Sequence, residues 1–512
     1  MTRTSRLLAP IMATAAATVA ATAVVAPSTS AVGATDSRAT LLEYAQDTWR
    51  SMDAMVDPGT GLVSDNVGGD LSSTDRAAYT SPTNIGAYMW SAIAARDIGL
   101  ISADVARQKI AMTLDGVERL EKHEPSGMFY NWYSPTDGHK LTIWPADGST
   151  VHPFLSSVDN GWLATALTMV AKEVPALADE AHSVLDEMDF GYYYNPAENQ
   201  IRGGFWLTPR PGSVEGNYRG GDPVYYTGHH YGAFNTEPRM ASYLGIASGQ
   251  IPQRHYFGTF RTFHNDNCDY AWTEQRAVGE WKEYLGVRVF EGAYKYAGRR
   301  LIPTWGGSMF EALMVPLFVP EEQWGARSWA LTHPTYVRAQ IEHGMDEAKY
   351  GYWGFSPSNN PAGGYREYGV DPIGMEPNGY ASDQERTFVD YGYGDCRPAQ
   401  KEPTKYGQGV VTPHASFLAY RFAPKAALQN LANLREDFGA YGPGGFYDAI
   451  NVTTGEMSER YLSLDQGMVM AALGNALAGD DMRETFSTGP MEEKVAPLMR
   501  MEEFTGITEG GR

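Results

Sequence analysis

About eleven segments of this chain carry helical patterning, mostly in consecutive pairs separated by long glycine-rich loops. They run over 38–56, 83–99 (closing at Gly99), 103–122 (capped by Ser102), 157–172, 175–189, 236–248 (closing at Gly249), 307–319, 334–348, 412–421, 424–438 and 459–478. Strand signals are short, at 201–207, 285–290 and 445–451. This alternation predicts an all-α-dominated chain, an (α/α)6 barrel or toroid with long loops and short β-hairpins at one rim. Inner helices would form a ring, and loops at one rim would build a pocket. The competing expectation is an irregular all-α protein of two domains.

The first residues read as a secretory leader. Arg3 and Arg6 precede a weakly apolar run from Leu7 to Val25, and small residues offer cleavage after Ala31 or Ala34. The expected organisation is a signal peptide over 1–34 and a secreted, extracellular remainder over 35–512. No later stretch reads as a membrane span. The formal net charge of −21 argues against nucleic acid and anionic membranes as partners and suits a neutral substrate. Cys268 and Cys396 either pair or stay as buried thiols, because spacing does not fix the Cα approach a disulfide needs. There is no CxxC, phosphate-binding loop, dinucleotide fingerprint or EF-hand loop, so neither cofactor nor metal is expected.

Aromatic residues are 12% of the chain, and many sit in Gly- and Pro-rich loops: GMFYNWYSPTDG, PVYYTGHHYGAF and KYGYWGFSPSNNPAGGY. Flat rings beside Asn, Asp and Gly suit a cleft in which sugar faces stack and hydroxyls are hydrogen-bonded. Two helix starts add carboxylates: Glu237 in FNTEPRMASYLG and Glu311 in TWGGSMFEALMVP. Glycosidic hydrolysis needs two such groups, one to protonate the leaving oxygen and one to attack or to activate water. Glu237 is the candidate acid, with electrostatics of a helix start as its structural alternative. Glu311 is a candidate nucleophile or base; with Ser308 it also fits a capping box. Asp159, in SSVDNGWLATAL, is either a second carboxylate or a helix cap. Asp465 and Gln466 sit in an apolar helix pattern as sugar contacts or as groups that knit helices together. Asp383 and Glu385 read as a solvated charged loop. Adjacent His229 and His230 point to opposite faces of an extended segment, so His230 reads as a sugar contact or a satisfied structural histidine rather than half of a metal site. Asn84, Trp132, Tyr133, Tyr231, Trp305 and Trp353 complete the candidate substrate contacts.

Seven stretches in order resemble the bacterial glucoamylase-like family, which includes endo-β-1,2-glucanases and a domain of cyclic β-1,2-glucan synthases. They are TSPTNIGAYMWSAIAARDIGLI, SSVDNGWLATAL, EPRMASYLGIASGQIP, TWGGSMFEALMVP, GVVTPHASFLAYRFAPKAALQNLANL, GFYDAIN and YLSLDQGMVMAALGNAL. The resemblance covers about 38–490 and implies one (α/α)6-barrel domain with glycoside hydrolase or transglycosylase chemistry. It departs at WGFSPSN, where Pro357 stands where relatives carry an acid, and over 371–406. The expected function is cleavage of a β-linked glucan, β-1,2-glucan first, with an oligo- or polysaccharide as partner. Another polysaccharide, transglycosylation, or non-catalytic sugar binding are the alternatives.

Overall fold

The computed structural model describes residues 34–264, 275–375, 406–407 and 409–508. The expected leader up to residue 33, both cysteines, Asp383 and Glu385 lie outside the described residues. Thirteen helices carry the architecture: α1 (Ala34–Ala54), α2 (Pro82–Ile98), α3 (Ala103–Glu118), α4 (Ser157–Glu173), α5 (Ala178–Leu185), α6 (Arg239–Ser248), α7 (Met309–Leu313), α8 (Glu321–Trp324), α9 (Trp329–Glu342), α10 (Pro413–Ala419), α11 (Pro424–Phe438), α12 (Ser463–Leu477) and α13 (Asp481–Ser487). Three further short helices follow α13. Among the described residues no helix is long and apolar enough to cross a membrane.

Local chemistry sets the helix ends. The Ser81 hydroxyl accepts the Asn84 N–H, Pro82 occupies the first helical position of α2, and Gly99 closes the helix with φ of 88°. Ser102 and Ser156 cap α3 and α4 in the same way. α2 is buried from Pro82 to Ala95, and α4 and α12 likewise lack a solvated face. A helix apolar all round has to sit inside other helices. α2 packs on α4 and α12, α4 on α6, α12 on α10, and α10 on α7. A second set backs these: α1 on α2 and α12, α3 on α2, α5 on α4, α9 on α7, and α11 on α10. Gly467 lets α12 approach α2, since a Cβ there would lie 2.7 Å from that of Ala87; Trp90 Nε1 donates to the Gly467 carbonyl at 2.9 Å. One contiguous apolar core runs through the chain from Leu41 to Phe504.

The structure differs from the expected segments where loops and strands intervene. The 307–319 segment is helical only to Leu313, after which Pro316 sits in a 3-10 turn. α9 starts at Trp329, with Pro334 inside it rather than at its first turn. α12 starts at Ser463 because Arg460–Leu462 is a strand paired with Asn66–Gly68. The strand signal at 285–290 is part of a longer antiparallel hairpin, Val278–Tyr284 with Val287–Tyr296, continued by Arg299–Leu301. Leu285 and Gly286 form its two-residue turn with φ of 49° and 75°. Residues Leu155–Ser156, Gly204–Trp206, Val224–Tyr226 and Val214–Gly216 make a four-stranded antiparallel ribbon that precedes α6.

A buried polar cluster fastens α6 to its neighbours. Arg239, on the first turn of α6, donates from Nε to Glu321 Oε1 at 2.8 Å and from Nη2 to Glu321 Oε2 at 3.1 Å. Tyr243 and His333 add hydrogen bonds of 2.8 and 2.9 Å to the same carboxylate. Burial pushes the Glu321 carboxyl up, but the Arg239 charge together with the hydrogen bonds from His333 and Arg239 holds it down to about 2. Glu321→Ala leaves Arg239 buried and unpaired, and its expected cost is about 3–5 kcal/mol of unfolding free energy. Denaturant titration checks this; a loss below about 1 kcal/mol would mean the pair contributes no more than a surface ion pair.

Candidate active site

The turn Asn235–Thr236–Glu237–Pro238 leads into α6 and carries Glu237 to the edge of a cavity of about 720 Å3. His230, Tyr231, Trp305, Glu311 and Glu367 line the same cavity. The sequence-predicted His230, Tyr231, Glu237, Trp305 and Glu311 are thus brought together, although they come from segments on both sides of the Val278–Leu301 strands. Glu237 Oε2 accepts the Trp162 indole N–H of α4 at 2.9 Å. Burial first, then the facing charge of Glu311, push the Glu237 carboxyl well above the ordinary carboxylate range.

Glu311 sits in the first turn of α7. The Ser308 hydroxyl accepts its N–H at 3.4 Å, so the serine half of the capping box forms. The carboxylate does not turn back to Ser308. Its Oε2 accepts the Glu237 N–H at 2.8 Å and the Thr236 hydroxyl. Burial raises this carboxyl to about 7, against the pull of those donors. Gly307 makes the tight entry to α7 possible: its φ is 71°, and a Cβ there would lie 2.0 Å from the Val370 carbonyl.

Asp159 is the third residue of α4, and Ser156 rather than Asp159 is the cap. Its Oδ1 accepts the Thr83 hydroxyl at 2.7 Å. With the Asn131 amide turned to satisfy its neighbours, Asn131 donates to Asp159 Oδ2 at 2.6 Å and accepts from Trp132 Nε1 at 3.2 Å. Burial raises the Asp159 carboxyl. Trp132 joins Tyr79 and Trp144 in an aromatic group with centroids 4.5–5.6 Å apart, beside Asp159. The charges of Glu237, Asp159 and Glu311 all bear on the Tyr231 phenol. Three carboxyls therefore converge on one region, the arrangement that two-carboxylate hydrolysis draws on.

Asp465 occupies the first turn of α12 rather than its middle. It lies with Asp448 and His414 in a buried group whose ligating atoms all fall within 4.8 Å of one another. Such a set could hold a cation: Asp465 Oδ2 and Asp448 Oδ1 are buried without a hydrogen-bond partner, while the other polar atoms are engaged. His414 meets Thr412 Oγ1 at 2.7 Å and Ser356 Oγ at 2.9 Å, and Asp448 Oδ2 accepts the Asn359 N–H at 2.6 Å. Burial lowers His414 to about 4 and lifts Asp465 to about 7, so the group tends to neutrality without an ion. In a second set, Asp97, Glu173 and Asp481, Arg96 bridges the first two. Tyr365 lies within electrostatic reach of Asp465, Asp448 and Glu237, which ties the α12 group to the same region.

Several candidates are placed otherwise than expected. Tyr133 is fully buried, with its hydroxyl given to the Glu121 carbonyl, so it is a packing residue and not a rim contact. Trp353 is likewise buried in the core, where Asn430 brackets its backbone. Asn84 is buried, and its amide donates to Asp65 at 2.9 Å. Gln466 is buried and donates to the Phe446 carbonyl at 3.1 Å. His230, by contrast, lines the cavity as expected; its Nε2 accepts from Asn195 Nδ2 at 2.9 Å, and burial and the Arg202 charge hold the ring neutral. Sequence reasoning missed Asp65, Asp448, His414 and Glu367. Asp448 lies in GFYDAIN, one of the seven stretches that resemble the family.

The resemblance to the glucoamylase-like family holds. Residues 272–484 match the family model described as putative glucoamylase, and residues 43–204 match a family of proteins of unknown function. The chain is similar to the cyclic beta-(1,2)-glucan synthase of Rhizobium meliloti, 22% identical over 90% of this chain, but it spans only 18% of that synthase's length. Its fold is similar to that of the endo-beta-1,2-glucanase from Chitinophaga pinensis, solved with sophorotriose and glucose. The TM-score is 0.61 at 14% identity, over 91% of this chain and 98% of that one. The endo-beta-1,2-glucanase from Talaromyces funiculosus, solved with sophorose, gives 0.62 at 11% identity, over 93% and 92%.

A carboxyl raised this way carries a stability signature. The unfolded chain releases the Glu237 proton near pH 4.3, whereas the folded chain retains it to higher pH, so stability falls as pH rises between the two values. Glu237→Gln removes that loss and still offers an acceptor to Trp162. Its melting temperature is expected to exceed that of wild type at pH 7, with the gain shrinking towards pH 4. Calorimetry at both values checks this, and equal gains would rule out a buried neutral acid.

Proposed function

We propose that this chain is a secreted glycoside hydrolase that cleaves a β-linked glucan, β-1,2-glucan first, within a single (α/α)6-barrel domain over 35–512. The observation that carries the reading is the buried Glu237 carboxyl, held protonated at a cavity edge with Glu311 and Asp159 within its electrostatic reach. Glu237 protonates the glycosidic oxygen, and the second carboxylate comes from Asp159 or Glu311. Tyr231, His230 and Trp305 line the sugar-binding space, and the aromatic group around Trp132 extends it. The run of contacts α6–α4–α2–α12–α10–α7, each backed by an outer helix, supports the barrel. The solved β-1,2-glucanases of similar fold support the linkage. The basic, then weakly apolar, then small-residue order of 1–34 supports export.

Reducing-end release from linear β-1,2-glucan tests the reading. Wild type is expected to release ends, and Glu237→Gln to lose about 10²–10⁴-fold in kcat. Absence of release by wild type would move the substrate to another polysaccharide. Products larger than the substrate, or cyclic ones, would make the chain a transglycosylase, which the similarity to a glucan synthase keeps in view.

A further inference from the structure

We infer that Glu311 is a positioning residue: its carboxylate caps the turn that presents Glu237 and fixes that side chain at the cavity, and it neither attacks the sugar nor activates water. The inference rests on the hydrolase reading and leaves Asp159 as the second reacting carboxylate.

The hydrogen bonds point this way. The turn before α6 closes through Arg239 N–H to the Thr236 carbonyl at 3.2 Å and Met240 N–H to the Glu237 carbonyl at 3.0 Å. Pro238 contributes no N–H. The Glu237 N–H has no carbonyl within this turn to meet, and the helix start has no side-chain cap of its own. Glu311 supplies the missing acceptor from another segment, and one oxygen, Oε2, takes both the Glu237 N–H and the Thr236 hydroxyl. The clasp is returned: Arg239 Nη1 donates to the Glu311 carbonyl at 2.8 Å, and Nη2 to the Ala312 carbonyl at 2.7 Å. Glu311 therefore trades its side chain for the α6 entry, and the α6 entry trades Arg239 for the Glu311 backbone. Oε2 is thereby committed to the turn, which leaves only Oε1 of this carboxylate facing other tasks.

The same placement sets a charge against Glu237. The groups facing Glu237 are Glu311 on α7, Asp159 on α4, Arg239 on α6, Tyr231 on the approach to α6 and Tyr365 on the hairpin pairing Ser358–Asn359 with Tyr365–Arg366. After burial, the Glu311 charge is the largest influence keeping Glu237 protonated. Glu311 ionises first, and its charge then delays ionisation of Glu237.

Glu311→Gln separates the two roles, because the amide oxygen can still accept from both donors while the charge is lost. In pH–rate profiles on linear β-1,2-glucan, Glu311→Gln is expected to retain more kcat on the acid side than Asp159→Asn, which removes the reacting carboxylate. Its alkaline limb should move to lower pH. Glu311→Ala, which lacks the cap, should lose far more. A fall of about 10²–10⁴-fold in Glu311→Gln across the whole range, with the limb unmoved, would overturn the inference. A second arm needs no turnover. The pH 7 melting-temperature gain of Glu237→Gln should be smaller in the Glu311→Gln background than in wild type, and additive gains would overturn the inference. If wild type cleaves no glucan at all, the hydrolase reading fails, while this second arm still decides whether Glu311 governs Glu237.

Discussion

The geometry of the cavity depends on Arg239. Its guanidinium is buried, which costs free energy unless its donors are satisfied, and each finds a partner. Two go to Glu321, two to the carbonyls of Glu311 and Ala312, and one back to Thr236. The planar fork therefore registers three separate stretches of chain, the α6 entry, α7 and α8, to within hydrogen-bond tolerance. A lysine at this position would offer a point charge without the fork and could not serve all three. Because Glu237 lies two residues before Arg239 and Glu311 lies on α7, their mutual placement follows from this cluster.

Around that anchor the protein collects acidic groups that water would keep apart. Glu237, Glu311, Asp159, Asp465 and Asp448 are all raised, with burial as the leading cause in each. Only Glu321, which has its own arginine, is driven strongly the other way. The contrast between a paired carboxylate near 2 and Glu311 near 7, with Glu237 raised well above the ordinary range, gives one small region both fixed charge and transferable protons. General acid chemistry near neutral pH needs this, and it is obtained at the expense of stability.

Much of this was legible in the sequence. Period, with Ser102 and Gly99 as local signals, placed α2, α3, α4 and α11 within a residue or a few. Glu237 and Glu311 stood out because each opens an apolar helix after an aromatic or glycine turn. What failed was long-range. The strand Arg460–Leu462 exists because Asn66–Gly68 pairs with it, and nothing near residue 460 announces that partner. Tyr133 and Trp353 lie in loops of cleft-like composition but point inward, and composition does not encode direction. Glu311 matched a capping box, yet its side chain serves another helix, since the pattern specifies a possible bond and tertiary packing chooses the actual one.

The pairing of Asn66–Gly68 with Arg460–Leu462, together with the Trp90 indole bonded to the Gly467 carbonyl 377 positions away, has a consequence for how the molecule comes to exist. α2 is among the earliest helices made, and its burial is completed by α12, among the last. Until α12 is present, an apolar face of α2 stays open to water. Closing so large a loop costs entropy that local contacts cannot repay in advance, so assembly is slow and late. The bare flank of α2 is therefore the surface through which an incomplete chain would associate with others.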